Sequence, residues 1–131
     1  MNYSNVIGYL LIQVFIFQFI SGMLLSCYFS PFYTIASDSV YYIMIDVKYG
    51  WLIRWYHVLG ASLFMFFITI HWIRGSWLRL KIIDSGSINS SSLIWLSGWL
   101  LLGLSLIEGF LGYILNRGQM SYWGINVMIN W

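Results

Sequence analysis

Charged residues are scarce in this sequence. Only 8% of its 131 residues are Asp, Glu, Lys or Arg, and the mean hydropathy is +0.79. A soluble domain usually carries about a quarter charged residues, so six basic and four acidic side chains do not cover a water-facing surface. This shortage excludes an ordinary soluble domain, a disordered tail and a basic nucleic-acid binder. We therefore expect a membrane protein surrounded by lipid, with no nucleic-acid partner.

Cysteine and proline are nearly absent as well. The single cysteine, Cys27, excludes an intrachain disulfide, and its apolar neighbours predict a packing role. The single proline, Pro31, is expected to end the first apolar run, because proline does not continue a helix and pushes Ser30 toward an extended conformation. No basic segment precedes that run, so a cleaved secretory signal is not expected.

Long apolar runs are what the sequence does contain. They cover residues 6–29, 51–80 and 93–115, and each is long enough for a membrane-spanning helix, which needs about 20 residues. The mixed segment 31–50 is expected to hold one short amphipathic helix. Segment 119–131 has apolar residues at helical spacing, which is typical of a helix lying at the membrane interface. The sequence thus predicts an all-α membrane protein, a single unit over residues 1–131 with three transmembrane helices and amphipathic surface helices.

The segments on either side of the second run differ in charge. Arg74, Arg79 and Lys81 lie at its end, whereas the segment before it carries two aspartates and one lysine. Basic loops tend to stay on the inner side of a membrane. This predicts that the N-terminus and the loop after the second span lie inside, and that the C-terminal segment lies outside.

Both histidines lie in the second run, 14 residues apart. In an α-helix, His57 and His71 are about 21 Å apart along the axis and differ in direction by only about 40°, so they share one face. Two ligands at that distance do not bind one ion. A single histidine in a span is more commonly a packed or hydrogen-bonding residue. The pair on one face favours two separate cofactors, one toward each membrane surface.

The same interval of 14 residues recurs among the glycines of the other two runs. It separates Gly8 from Gly22 in the first run and Gly98 from Gly112 in the third. Glycine is common in spans, so either pair alone is weak, but glycine does let a backbone or a flat ligand approach closely. Together with the histidines, these pairs predict a bundle with two layers, each able to hold a flat macrocycle.

Arginines flank the two histidines. Arg54 lies three residues before His57, and Arg74 lies three residues after His71, so each is about one helical turn nearer a membrane surface. An intramembrane cation needs a partner. Haem propionates pointing outward from the two layers would provide it, because a guanidinium group binds a carboxylate at two points.

Several motifs resemble cytochrome b of respiratory bc1 complexes, rather than the chloroplast b6 form. Those in and before the second span are similar to the family's second transmembrane helix. Those from residue 112 onward are similar to the end of its third helix and the surface helix that follows. The resemblance runs over nearly the whole chain. The motifs are DVKYGW at 46–51, RWYH at 54–57, GAS at 60–62, HWIRG at 71–75, GYIL at 112–115 and GQMSYWG at 118–124.

This resemblance implies a four-helix haem-binding bundle, of which the chain holds three helices. His57 would be an axial ligand of the haem nearer the outer face, the low-potential one, and His71 of the haem nearer the inner face. Arg54 and Arg74 would pair with the propionates. Electrons would pass from quinol to the outer haem, then to the inner haem and back to quinone. The haem-packing glycines would be Gly8, Gly22, Gly98 and Gly112.

The resemblance also implies residues for substrate. Tyr113, Gly124 and Met128 match positions that line the outer quinol-oxidation pocket. Glu108 departs from the family, which is usually apolar or small there, and a carboxylate inside a span is a functional candidate by default. It could relay a proton from the quinol site, or it could be a protonated or hydrogen-bonded side chain facing a neighbouring subunit.

A full cytochrome b has a fourth core helix with the other two haem ligands, and this sequence ends before it. We therefore interpret the chain as the N-terminal piece of a split cytochrome b that shares two haem b groups with a second fragment. The resemblance implies ubiquinol and ubiquinone as substrates. It implies the Rieske iron-sulfur protein, cytochrome c1 and other complex III subunits as partners in a dimeric quinol–cytochrome c oxidoreductase, in which the chain is not active alone. The expected location is the mitochondrial inner membrane, N-terminus on the matrix side, or else a bacterial inner membrane.

Two other assemblies stay open at this point. Two copies of the chain could pair in parallel, so that each haem takes one histidine from each copy. The chain could also be a structural membrane subunit derived from cytochrome b that no longer binds haem. The retained arginines and glycines argue against the second alternative, because loss of function would remove them early.

Overall fold

A computed structural model describes residues 6–32, 34–84, 92–116 and 118–130. This part of the chain folds into α-helices without a β-strand, which confirms the predicted all-α class. The helices are α1 (Val6–Ser26), α2 (Ala36–Ile45), α3 (Gly50–Asp84), α4 (Ser92–Leu115) and α5 (Gln119–Ile129). Residues 1–5 of the predicted unit and Trp131 of the predicted interfacial helix lie outside the described residues.

Three of these helices are long and apolar enough to cross a membrane, as predicted. The candidate spans are Val6–Ser26, Gly50–Lys81 and Leu93–Leu115. The first is shorter than the expected run to residue 29, because the chain tightens into a turn in which the Tyr28 N–H donates to the Leu25 carbonyl (3.1 Å). The helix therefore ends several residues before Pro31, and proline is not what terminates it.

Helix α3 holds the described part together, since it packs against α1, α2 and α4, while α5 packs against α4. Little of this packing forms an internal core. Among the described residues, Ala36 and Ile43 are the only buried hydrophobic side chains. The apolar residues of α1 are spread evenly around its axis, and a helix that is apolar all round is suited to lipid or to further membrane helices.

A tight junction between α2 and α3 sets where the central helix begins. Tyr49 adopts a left-handed φ of 62°, and the Gly50 N–H donates to the Val47 carbonyl (2.9 Å). A Cβ atom at Gly50 would overlap the carbonyl oxygen of Ile43, so only glycine fits there. This junction places the start of α3 seven residues before His57.

The C-terminal helix α5 folds back on the end of α4. Its buried Ser121 donates a hydrogen bond from Oγ to the Tyr113 carbonyl (2.9 Å). The side chains of Met120, Trp123 and Val127 remain exposed. An apolar surface of this kind is what the predicted interfacial position requires.

Candidate functional site

Helix α3 presents both histidines to α1. A Cβ atom added to Gly22 would lie 3.3 Å from Cε1 of His57, and one added to Gly8 would lie 3.9 Å from Cε1 of His71. Helices α1 and α3 therefore run in opposite directions, and the 14-residue interval between the glycines lies alongside the 14-residue interval between the histidines. Each imidazole lies at the level of a residue without a side chain.

The surroundings of His57 are polar and partly buried. Its Nδ1 lies 2.8 Å from Oγ of Ser21, a residue that is only 4% exposed. The Nε2 group of Gln18 donates to the backbone carbonyl of His57 (2.9 Å). A Cβ atom at Gly60 would come within 2.8 Å of that Gln18 Nε2, so the glycine leaves room for the amide. Helix α1 thus holds both the ring and the backbone of His57.

The surroundings of His71 are more open. The imidazole borders a cavity of about 440 Å³, which is also lined by Gly8, Arg74 and Gly75. A larger cavity of about 760 Å³ shares several of these residues and reaches α4 at Gly98. We call the two together the inner groove. Both volumes fall within the roughly 300–1,000 Å³ of small-molecule and cofactor sites.

The two α4 glycines that were predicted to pack against a ring face space that the described residues do not fill. A Cβ atom at Gly98 or at Gly112 would meet nothing within 4 Å. Gly98 lines the inner groove together with His71, whereas Gly112 lies near the other end of α4. The structure therefore brings three of the four predicted glycines to the histidines or to the groove, and it leaves room beside the fourth.

The two arginines have different environments. Arg74 lines the inner groove with His71. Arg54 donates from Nη2 to Oδ1 of Asn116 (2.6 Å), and its Nη1 lies 3.3 Å from Sδ of Met44. Arg54 therefore joins α3 to the end of α4, a link that the sequence did not predict.

The residues predicted for the outer quinol pocket lie on α4 and α5. Gly124 packs near the Phe110 ring, since a Cβ atom there would lie 3.8 Å from Cε2. Tyr113 and Met128 are 51% and 68% exposed. Glu108 is also exposed on α4. In the part of the chain that the structure describes, these side chains lie on an open surface rather than around a closed pocket.

The arrangement defines what chemistry is possible. No three His, Cys, Asp or Glu side chains cluster within the described ranges, so His57 and His71 each offer a single imidazole rather than part of a multi-residue metal site. Each lies beside a glycine and about one turn from a guanidinium group. Such a pair can bind two flat, metal-bearing rings with acidic substituents and provide one axial ligand to each.

Four residues of this site were not predicted from the sequence. They are Gln18, Ser21, Gly60 and Asn116. Gln18 and Ser21 are polar residues inside an apolar run, and Ser21 directly precedes Gly22. That signal was available, because a polar side chain within a span usually hydrogen-bonds to another helix. Nothing in the local pattern identified His57 or Arg54 as the partners.

The comparisons with known proteins identify the family of the chain. Residues 1–131 match the family model described as cytochrome b/b6/petB. The chain is 36% identical over 124 residues to cytochrome b of Theileria parva. The aligned region covers 95% of this chain and 32% of that protein. It is 35% identical over 131 residues to cytochrome b/c1 of Bradyrhizobium diazoefficiens, and there the aligned region covers 99% of this chain and 18% of that protein.

A solved structure described as hyperthermophilic respiratory complex III has a chain with a similar fold. The TM-score is 0.83 at 33% sequence identity, and the match covers 98% of this chain and 31% of that one. This similarity confirms the predicted arrangement of three long helices with surface helices. The chain spans about a third of the length of a curated relative such as the Theileria parva protein, of which it covers 32%.

Proposed function

Because the chain belongs to the cytochrome b family, we propose that it holds two haem b groups at two depths of a membrane and conducts electrons between them as part of complex III, a quinol–cytochrome c oxidoreductase. The observation that carries this proposal is the pairing of His57 with Gly22 and of His71 with Gly8. One helix offers an imidazole at each depth, and its neighbour approaches each imidazole with a glycine.

The described residues fit a flat macrocycle with acidic substituents. The inner groove is walled mainly by apolar side chains, and its polar groups are His71, Arg74, Arg79, Ser76 and Ser105. Apolar walls with a few converging polar groups are typical of cofactor sites. Gly8, Gly75 and Gly98 leave the surface of three helices free of side chains where a ring would lie.

The two histidines fix the depth of each centre. Bound haem supplies an iron that accepts and releases one electron at a time. His57 and His71 lie about 21 Å apart along α3 and would hold one iron toward each side of the membrane. The family assigns the His57 level to the outer face and the His71 level to the inner face.

The two arginines orient and neutralise the acidic substituents. A guanidinium group has five N–H donors, and Arg54 uses its two terminal nitrogens for the contacts with Asn116 and Met44. These contacts hold the group near the His57 level, and its remaining donors would bind a carboxylate of the cofactor. Arg74 has the same role at the His71 level.

The opposite axial ligands come from a helix outside these 131 residues. Two bis-imidazole haems need four imidazoles, and this sequence has two histidines. The open space beside Gly98 and Gly112 suits the approach of such a helix. We assign it to a further cytochrome b segment that shares both haems, and the chains that copurify with this one show whether that segment is a separate polypeptide.

The substrates and surroundings complete the proposal. Ubiquinol binds at the α4–α5 junction near Tyr113, Gly124 and Met128, and Glu108 relays a proton from it. The Rieske iron-sulfur protein and cytochrome c1 assemble around this side in a dimeric complex. The chain lies in the mitochondrial inner membrane with its N-terminus on the matrix side, as the basic residues at the end of α3 favour.

The decisive experiment replaces each histidine in the purified complex. We expect His57→Ala and His71→Ala each to remove one haem, read as the loss of one component of the reduced-minus-oxidised spectrum. Ser62→Ala is the matched control, because Ser62 is exposed on α3 and bonds only to the Val58 carbonyl of its own helix. Retention of both haems in both histidine variants would overturn the proposal.

A structural subunit without haem is the second candidate. The observation that favours it is the scarcity of buried hydrophobic side chains among the described residues, which leaves large apolar surfaces for other subunits. It predicts that both histidine variants keep the full haem content while assembly depends on the exposed helix faces.

A further inference from the structure

Ser21 is one of two buried polar side chains among the described residues, and the proposed function gives it no role. It lies on α1 directly before Gly22, at the level of His57. Its Oγ is 2.8 Å from Nδ1 of His57 and 2.8 Å from the carbonyl oxygen of Phe17. The hydroxyl therefore connects the imidazole to the backbone of the neighbouring helix.

The chemistry of the groups sets the direction of these bonds. A hydroxyl has one hydrogen, and the Phe17 carbonyl accepts it, as is common for serine inside a helix. When Nε2 of His57 ligates an iron, the ring proton lies on Nδ1, and the Ser21 oxygen is then the acceptor of its hydrogen bond. A neutral imidazole with its proton on Nδ1 keeps the lone pair on Nε2. That is the nitrogen an iron needs.

At the level of His71, the position on α1 that corresponds to Ser21 has no hydroxyl group. The residue before Gly8 is Ile7, whose side chain forms no hydrogen bond. No hydrogen bond within the described residues reaches the His71 imidazole. Each layer thus has its own histidine facing a glycine, but only the His57 layer has a hydroxyl on α1 that faces the ring.

We propose that Ser21 is a positioning residue that orients the His57 imidazole, selects its tautomer and makes the outer haem site electronically different from the inner one. The inference rests on the proposed function. When the ring nitrogen that does not bind the metal donates a hydrogen bond, a ligating histidine becomes a more basic ligand. A more basic ligand favours oxidised iron, so Ser21 lowers the midpoint potential of the outer haem relative to a site without the bond.

The test is Ser21→Ala in the complete purified complex. We expect a redox titration to show a higher midpoint potential for the outer haem and an unchanged one for the inner haem. The low-temperature electron paramagnetic resonance signal of the ferric outer haem should also shift, because the ring is no longer held in one plane. Ser26→Ala is the control, since Ser26 is exposed on the same helix and bonds to its own Met23 carbonyl (2.8 Å).

Two further substitutions make the result specific. Ser21→Thr keeps the hydroxyl and should preserve both the potential and the signal. Ser21→Cys offers a weaker acceptor and should raise the potential less than Ser21→Ala. If Ser21→Ala does not assemble, the Thr and Cys variants decide, and a Cys variant equal to the unsubstituted complex would overturn the inference.

The outcomes separate this inference from the function beneath it. If His57→Ala removes the outer haem but Ser21→Ala changes neither the potential nor the signal, the role of Ser21 is wrong and the haem site stands. An equal shift of both haems would mean a general packing effect and would also overturn the inference. If His57→Ala removes no haem, the proposed function itself fails.

Discussion

Gly22 and His57 face each other across the α1–α3 contact, so closely that even a Cβ atom on the glycine would crowd the imidazole. A Cβ atom on Gly22 would lie 3.3 Å from Cε1 of the imidazole, whereas the equivalent distance from Gly8 to His71 is 3.9 Å. The first distance is tighter than an ordinary van der Waals contact and the second is not. The two layers of the site therefore differ in how closely α1 approaches α3.

This difference predicts unequal effects of the same substitution. Gly22→Ala should displace the His57 ring and reduce retention of the outer haem, by roughly tenfold if it resembles the loss of a contact supporting a metal ligand. The chain's own contacts tolerate Gly8→Ala, so a smaller loss of the inner haem is expected. Haem-to-protein ratios of the two purified variants measure this. Equal losses would show that α1 does not set the tightness of the outer layer.

Gln18 and Gly60 should behave as one unit. Gly60→Ala forces the Gln18 amide away from the His57 carbonyl, and Gln18→Ala removes that hydrogen bond directly. Each substitution should destabilise by about 0.5–1.5 kcal/mol, the net value of a typical hydrogen bond. The double substitution should cost little more than Gln18→Ala alone, because the added methyl group then has space. Thermal unfolding in detergent gives the three values, and strict additivity would contradict the coupling.

The link between Arg54 and Asn116 should stabilise the end of α4. Asn116→Ala removes the acceptor of a 2.6 Å bond to a charged group, and it should cost about 1 kcal/mol because both groups are partly solvated. Asn130→Ala is the comparison, since Asn130 bonds only within α5, to Asn126. Protease sensitivity of the α4–α5 junction is the measurement. A change no larger than that of Asn130→Ala would show that the bond contributes nothing.

Gly50 should be the least replaceable glycine outside the haem site. An added Cβ would overlap the backbone carbonyl of Ile43, and a backbone atom does not move aside as a flexible side chain does. Gly50→Ala should therefore detach α2 from α3 and sharply reduce the yield of assembled complex. Gly103→Ala adds the same atom to a helix position with nothing within 4 Å, so normal yield is expected. Normal yield for Gly50→Ala would mean that the junction relaxes freely.

Glu108 is tested by a substitution that keeps its shape. Glu108→Gln places an amide of nearly the same shape at this position, and an amide does not exchange a proton in the way a carboxyl group does. If Glu108 relays protons, the quinol oxidation rate should fall while the haem spectrum stays the same. An unchanged rate would assign Glu108 to contact with a neighbouring subunit. Stopped-flow reduction of the outer haem by quinol provides the measurement.

The spans and surface helices were predictable because their causes are local. An apolar run of sufficient length must form its backbone hydrogen bonds internally in lipid, and this makes it helical. The helix Gln119–Ile129 followed from the periodicity of its apolar residues, and the short helix Ala36–Ile45 lies in the mixed segment that was expected to hold one. The end of α1 at Ser26 did not, since the chain turned before it reached Pro31.

The amino-acid sequence alone determined that this protein is helical and membrane-spanning, that its two imidazoles share one helix face, and that glycines repeat at the same interval on other helices. Only the tertiary structure decided which glycine meets which histidine, that Ser21 rather than another hydroxyl faces His57, and that Arg54 reaches Asn116. The reason is physical. Spacing along one helix follows from its fixed rise per residue, whereas contacts between helices depend on their relative axial shift and rotation, which long-range packing sets.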